Sequence, residues 1–116
     1  MRLAAIADIE RAAVGIPQSL ILCWHTHIAR AVRLGDGGMI VNPGSVESPG
    51  YRDIVPFRHV MEAGTPDARY AIVELRQEQW HVTFRHVRYD HNAMTALARK
   101  NGHPDLANAL ATGWIR

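Results

Sequence analysis

The stretch "LILCWHTHIAR", Leu20 to Arg30, decides how the chain is read. Residues Ser19 to Cys23 form a short, continuous apolar run that stops at Trp24, followed by His25-Thr26-His27. Such a run suits a strand buried on both faces better than a surface strand. On a strand, residues i and i+2 point to one face, roughly 6–7 Å apart. Two imidazoles so placed can ligate one metal, or one each of two metals about 3.5–4 Å apart. The carboxyl end of a buried strand is also where open α/β sheets hold their ligands. The alternative is that the pair arose by chance and its rings are satisfied by protein or solvent.

Upstream, residues 3–14 are Ala-rich, with Leu3, Ile6, Ile9, Ala13 and Val14 close to helical spacing. Gly15 and Pro17 follow as stop signals for that helix. Downstream, Val32 and Leu34 are expected to pair with Met39 to Val41 across the turn Gly35-Asp36-Gly37-Gly38. From Pro43 to Pro66 the chain is rich in Pro and Gly and reads as one long irregular loop, of the kind that is usually functional. Residues 69–75 and 80–88 alternate as two antiparallel strands joined at Gln77-Glu78-Gln79, with Trp80, Val82 and Phe84 on one face and His81, Thr83 and Arg85 on the other. Two helices close the chain. The first is capped by Asp90, turns Met94, Leu97 and Ala98 inward and ends at Asn101-Gly102. The second starts at Pro104, turns Leu106, Ala109 and Leu110 to one face and stops at Gly113.

The 116 residues suffice for one domain, 1–116, with ordinary apolar content. A net charge of +2, with its arginines scattered, does not indicate a nucleic-acid binder. The motif "FRHVRYD" and its aromatics are a thin exception, since Arg85 and Arg88 fall on opposite strand faces. Cys23 is the only cysteine, so neither a disulfide nor a cysteine-based zinc site can form within the chain. Asp8, Glu10 and Arg11 interrupt any apolar signal segment, and no stretch reaches the ~20 apolar residues of a membrane span. A soluble, cytoplasmic protein without membrane contact is the expectation.

The segment "LILCWHTHIARAVRLGDGGMIVNPGSVESP" resembles the C-terminal motif region of the calcineurin-like metallophosphoesterases, in particular their small bacterial and archaeal phosphodiesterases. There an apolar strand leads into Gly-His-Thr-His, a short hairpin and Asn-Pro-Gly-Ser-Val. Here the counterparts are Trp24-His25-Thr26-His27 and Asn42-Pro43-Gly44-Ser45-Val46. The resemblance covers most of residues 18–113.

It implies an α/β fold that is part of the family's sandwich: a mixed β-sheet with an N-terminal helix and two C-terminal helices, equivalent to the C-terminal half. It implies hydrolysis of phosphate esters at a dinuclear site of divalent metals (Mn, Fe, Zn or Ni). The two cations would sharpen a bridging hydroxide and neutralise charge on the phosphoryl group. By position, His25 ligates one metal and His27 the other, while Asn42 and Arg30 are candidates to contact substrate. The family's later N-terminal motifs do not occur here ahead of the His-Thr-His segment: Gly-Asn-His-Asp/Glu is absent, and the Gly-Asp pair of the sequence, Gly35-Asp36, lies after it in the hairpin turn. Two histidines cannot fill two coordination spheres. Either the chain is a non-catalytic remnant acting as a binding or assembly module, or a homodimer or complementing chain supplies the rest. "MRLAAIADIE" admits two readings: a relic of the family's first strand, making Asp8 a ligand, or the helix over 3–14, making Asp8 an ordinary surface carboxylate.

Trp24 stands where the family has Gly, and Glu47 where it has another. The indole either blocks the phosphate pocket or covers a surface patch. Glu47 is either an extra carboxylate at the site or an exposed loop residue. Arg52 and Arg58 are further phosphate candidates, against the ordinary reading of solvated arginines. His59, His81, His86, His91 and His103 show no ligand spacing with one another, Ser45 belongs to no triad, and Cys23 reads as inert packing.

Overall fold

A computed structural model describes residue 11 and residues 13–116. The helix expected over 3–14 lies almost wholly outside the described residues, as do Asp8 and Glu10. Gly15, its expected stop, is left-handed with φ +80°.

Three strands build the first sheet: β1 (Leu20–Leu22), β2 (Arg30–Arg33) and β3 (Met39–Asn42). Their spatial order is β1-β3-β2, with β3 parallel to β1 and antiparallel to β2. The expected hairpin forms, Val32 facing Ile40 and Arg33 facing Met39. Its turn is closed by the Leu34 N–H donating to the Gly38 carbonyl at 2.7 Å, and Asp36 Oδ1 accepts the Gly38 N–H at 2.8 Å. The fully buried strand is β3 rather than β1. Among the described residues β1 pairs on one side only, and Leu22 is 58% exposed, which corrects the expectation of a strand covered on both faces.

A second correction concerns residues 43–66. That stretch contains an antiparallel hairpin, β4 (Gly50–Asp53) with β5 (His59–Glu62), Tyr51 facing Met61 and Arg52 facing Val60. Its strands are four residues each and show no clean alternation, so periodicity alone does not reveal them.

The third sheet is the long hairpin β6 (Ala68–Arg76) and β7 (Gln79–Val87), paired without a bulge. Gln77 and Glu78 both take positive φ, as a two-residue type I′ turn requires. Ala71, Val73, Leu75, Trp80, Val82 and Phe84 share one face by register. The Trp80 indole N–H donates to Ser19 Oγ at 3.0 Å and ties this hairpin to the entry of β1.

Two helices, α1 (Asn92–Lys100) and α2 (Pro104–Thr112), follow. His91 takes the N-cap position, while Asp90 Oδ1 accepts the Asn92 N–H at 3.0 Å from one residue earlier. The inward residues of α1 are Thr95 and Ala98, and Met94 and Leu97 are exposed, contrary to the periodic reading. In α2, Ala107, Ala109 and Leu110 are buried, whereas Leu106 is exposed. Small residues face inward because α2 lies close to backbone. A Cβ added at Gly50 would stand 3.3 Å from Ala109 Cβ and 3.1 Å from the Met61 carbonyl. Beyond α2, Ile115 is buried, and its N–H donates to Glu62 Oε1 at 3.1 Å.

The chain is therefore mixed α/β, with three small sheets and, among the described residues, two helices, both C-terminal. It exposes 8186 Å², against roughly 6,300 Å² for a compact monomer of its mass. Its radius of gyration is 16.0 Å, against about 13 Å. The β6–β7 hairpin leaves much of its apolar face half-covered.

Gly113 ends α2 with φ +83°, and its carbonyl accepts the Gly64 N–H at 3.0 Å. A Cβ there would overlap the Thr65 backbone. Gly113→Ala is expected to cost about 2 kcal/mol or more of stability, read from urea denaturation, because strain and steric overlap act together.

Candidate functional site at the Trp24–His27 turn

β1 ends at Leu22, so the histidine pair is not on a strand. The Cys23 N–H still donates to the Val41 carbonyl at 3.0 Å, and the chain then turns. The His27 N–H donates to the Trp24 carbonyl at 2.9 Å and closes a four-residue turn. The same-face argument for residues i and i+2 therefore does not apply. A tight turn, not a pleat, sets the relation of the two rings.

His27 has φ +57°, a conformation that costs a non-glycine residue energy and persists where its surroundings impose it. The surroundings are identifiable. His27 Nδ1 lies 2.9 Å from the Ser48 carbonyl, which can only accept, so Nδ1 carries the proton. The lone pair of a neutral ring is then on Nε2. This is the orientation that an outer carbonyl imposes on metal-binding histidines.

Asn42 joins the two sequence motifs. It is 3% exposed at the end of β3; its Nδ2 donates to Thr26 Oγ1 at 3.0 Å, and its Oδ1 accepts the Gly44 N–H at 3.0 Å. Both ends of the amide are engaged, which makes Asn42 a positioning residue for the two turns. Gly44 has φ +90°, and a Cβ there would meet Arg69 Cβ at 2.9 Å, which accounts for glycine at this position. Ser45 Oγ accepts the Ser48 N–H at 3.0 Å and shapes the loop that carries the His27 acceptor. Arg30 faces Asn42 at the start of β2. Its charge partly offsets the burial that pushes the Cys23 thiol up, and Cys23 stays protonated.

Trp24 is 69% exposed and keeps an ordinary negative φ. The left-handed residue of the turn is His27, three positions on. Glu47 is exposed on its loop.

The long-loop reading hid two further residues, Tyr51 and His59. Tyr51, on β4, donates its hydroxyl to the His25 carbonyl at 3.1 Å. Its ring centre lies 5.0 Å from that of His27, 6.2 Å from His25 and 5.9 Å from His59. Burial, then the charge of Asp53, pushes the Tyr51 phenol up, so it remains a donor. Asp53 is held below the ordinary carboxylate range, first by the N–H of Val55, then by that of Ile54, with His59 and His25 adding positive charge. His59, which shows no ligand spacing in sequence, is brought into this cluster by the β4–β5 hairpin. Arg52 is ion-paired with Asp105 at 2.6 Å, and His81, His86 and His103 are exposed on other elements. Arg69, 6% exposed, braces the loop from beneath through Thr65 Oγ1 at 2.8 Å and the Ala63 carbonyl at 3.2 Å. No spacing rule marks Tyr51, His59 or Arg69, because each joins the site through long-range pairing.

Among the described residues, no group of three or more His, Cys, Asp or Glu is arranged to hold a metal ion. Two histidines alone do not fill the coordination spheres of a dinuclear centre. No family model matches the chain, and no curated protein matches it.

Asn42→Ala removes two hydrogen bonds and leaves Thr26 Oγ1 and the Gly44 N–H without their partner. A loss of about 2 kcal/mol is expected in thermal or urea unfolding. Asp53 has a folded-state pKa below its unfolded value. Its contribution is therefore present above about pH 4 and lost as pH falls through the folded value. An NMR pH titration should place its midpoint below that of an unstructured aspartate, and Asp53→Asn should flatten stability across that window.

Proposed function

We propose that the chain is a metallophosphoesterase-family protein whose Trp24–His27 turn and Asn42–Val46 loop are one side of a phosphoester hydrolysis site. The family's sandwich would then be represented here by its C-terminal half. The observation that carries the reading is the Asn42 amide, which holds the His-Thr-His turn to the Asn-Pro-Gly loop. The Nδ1 bond of His27, which leaves Nε2 open, supports it. On this reading His25 and His27 each contribute a neutral imidazole to a divalent metal, and metal would bring Lewis-acid activation of water and neutralisation of phosphoryl charge. The chain's own residues set the geometry: Ser48 orients His27, Tyr51 anchors the His25 backbone, and Asn42 fixes Thr26. Arg30 remains the candidate for an anionic oxygen. The remaining ligands would come from outside the described residues, from a second copy or from a complementing chain.

Elemental analysis of the purified protein, paired with a Mn²⁺-supported assay on bis(p-nitrophenyl) phosphate, tests this. Metal content and hydrolysis should both fall at least about tenfold in His27→Ala and in His25→Ala. Activity that survives both substitutions would remove these residues from the mechanism.

A second reading, a non-catalytic assembly module, is favoured by a different observation. Among the described residues, the outer edge of β7 makes no backbone hydrogen bond over nine residues, and the strand has no proline or bulge to guard it. With the surplus surface noted above, such an edge suits pairing with a second copy. Light scattering after size exclusion should then give a dimer, and a monomer at every concentration counts against it.

A further inference from the structure

Four rings run in sequence from the histidine turn: His27, Tyr51, His59 and Phe57, with successive centres 5.0, 5.9 and 5.7 Å apart and tilted or edge-on to one another. The series ends at a surface cleft of about 490 Å³ lined by Arg52, Asp53, Ile54, Arg58, His59 and Val60. That volume falls within the range of small-ligand pockets, about 300–1,000 Å³. His59 belongs to both features: its ring neighbours Tyr51 and Phe57, and it walls the cleft.

The residues around the cleft divide by task. Arg52 is held by Asp105, and Asp53 is engaged by the Ile54 and Val55 N–H groups. His59 Nδ1 donates to the Phe57 carbonyl at 2.7 Å, which fixes its ring and tautomer. Arg58 makes no hydrogen bond or ion pair among the described residues. Phe57 is 56% exposed, and Ile54 and Val60 are also open to solvent. Fixed rings, exposed apolar side chains and one free guanidinium favour a planar group: rings stack or meet edge-on, and a guanidinium lies flat on an aromatic face or pairs with an anionic oxygen.

We propose that this ring series and cleft form the subsite for the organic group of the substrate, and that it selects phosphate esters carrying an aromatic or heterocyclic ring over alkyl esters. The assignment rests on the phosphoesterase reading, since it takes the histidine turn as the place of the phosphoryl group. Tyr51 touches the histidine turn, and His59 beside it carries the series into the cleft. A ring bonded to the phosphoryl oxygen would lie along Tyr51 and His59, with Arg58 at the far end.

The test uses the full ¹⁵N-labelled chain, with phenyl phosphate, methyl phosphate and inorganic phosphate as probes and amide shifts as the readout. Phenyl phosphate should shift residues 51–60 and bind about fivefold more tightly than methyl phosphate. Phe57→Ala and His59→Ala should abolish that preference while the spectrum outside the loop stays unchanged. Arg58→Ala should weaken phenyl phosphate and leave the preserved fold visible in the same spectrum. Equal affinity for the two esters, or shifts confined to other residues, overturns the proposal. A parallel Zn²⁺ titration reads the His25 and His27 signals. Unchanged histidine signals with intact phenyl phosphate preference would sink the metal reading alone. Histidine binding with no ester preference would sink the subsite alone.

Discussion

The side-chain amide of Asn42 is the constraint on which the site depends. It sits at the end of the central buried strand and satisfies its donor and acceptor on two different turns, Thr26 on one side and Gly44 on the other. A buried amide left with either end unpaired is costly, so the two turns are held in one geometry rather than several. From that anchor the rest follows in contact order: His27 on its strained backbone against Ser48, Tyr51 against the His25 carbonyl, His59 against Tyr51. The strain at φ +57° persists because bonds on both sides hold it.

The core that supports this arrangement is thin. Among the described residues its largest fully buried side chains are Val41 and Ile115, beside the alanines Ala107 and Ala109. Close backbone approach takes the place of bulk: Gly50 under Ala109, Gly113 over Thr65, Gly44 over Arg69. Such contacts specify position well and bury little area. The β6–β7 hairpin meanwhile leaves apolar area only half-covered. The fold thus places tight tolerances at Gly44 beside the Asn42 turn and at the seat of the last helix, and leaves surface half-covered on the hairpin.

Elements with strong local signals were legible in the sequence. The β2–β3 hairpin follows from Gly35–Gly38, β6 and β7 from alternation, and the helix stops from Gly102 and Gly113. The reading failed where burial depends on partners. Apolar continuity marks Leu20–Leu22 as doubly buried, yet among the described residues the sheet order gives the centre to β3, and β1 is left partly exposed. Helical spacing points Met94 and Leu106 inward, yet the helix residues that are buried are Thr95, Ala98, Ala107, Ala109 and Leu110. For the site, His25, His27 and Asn42 were visible as motif residues, while the geometry of the pair was not, because a turn and a strand end look alike in a short window. Tyr51 and His59 were hidden by a hairpin with no periodic signature.

The parallel alignment of β1 with β3 has a kinetic side. Every other strand pairing among the described residues joins neighbours in the chain: β2 with β3, β4 with β5, β6 with β7. Each of those closes a short loop and can form locally. Setting Leu20 beside Met39 requires the intervening hairpin to be crossed, and closing that longer loop carries more entropy before any contact offsets it. The histidine turn sits at the end of that pairing and faces Asn42 only when it is made. Loop-closure entropy thus favours the hairpins forming before the β1–β3 pairing that, among the described residues, completes the turn's seat against Asn42.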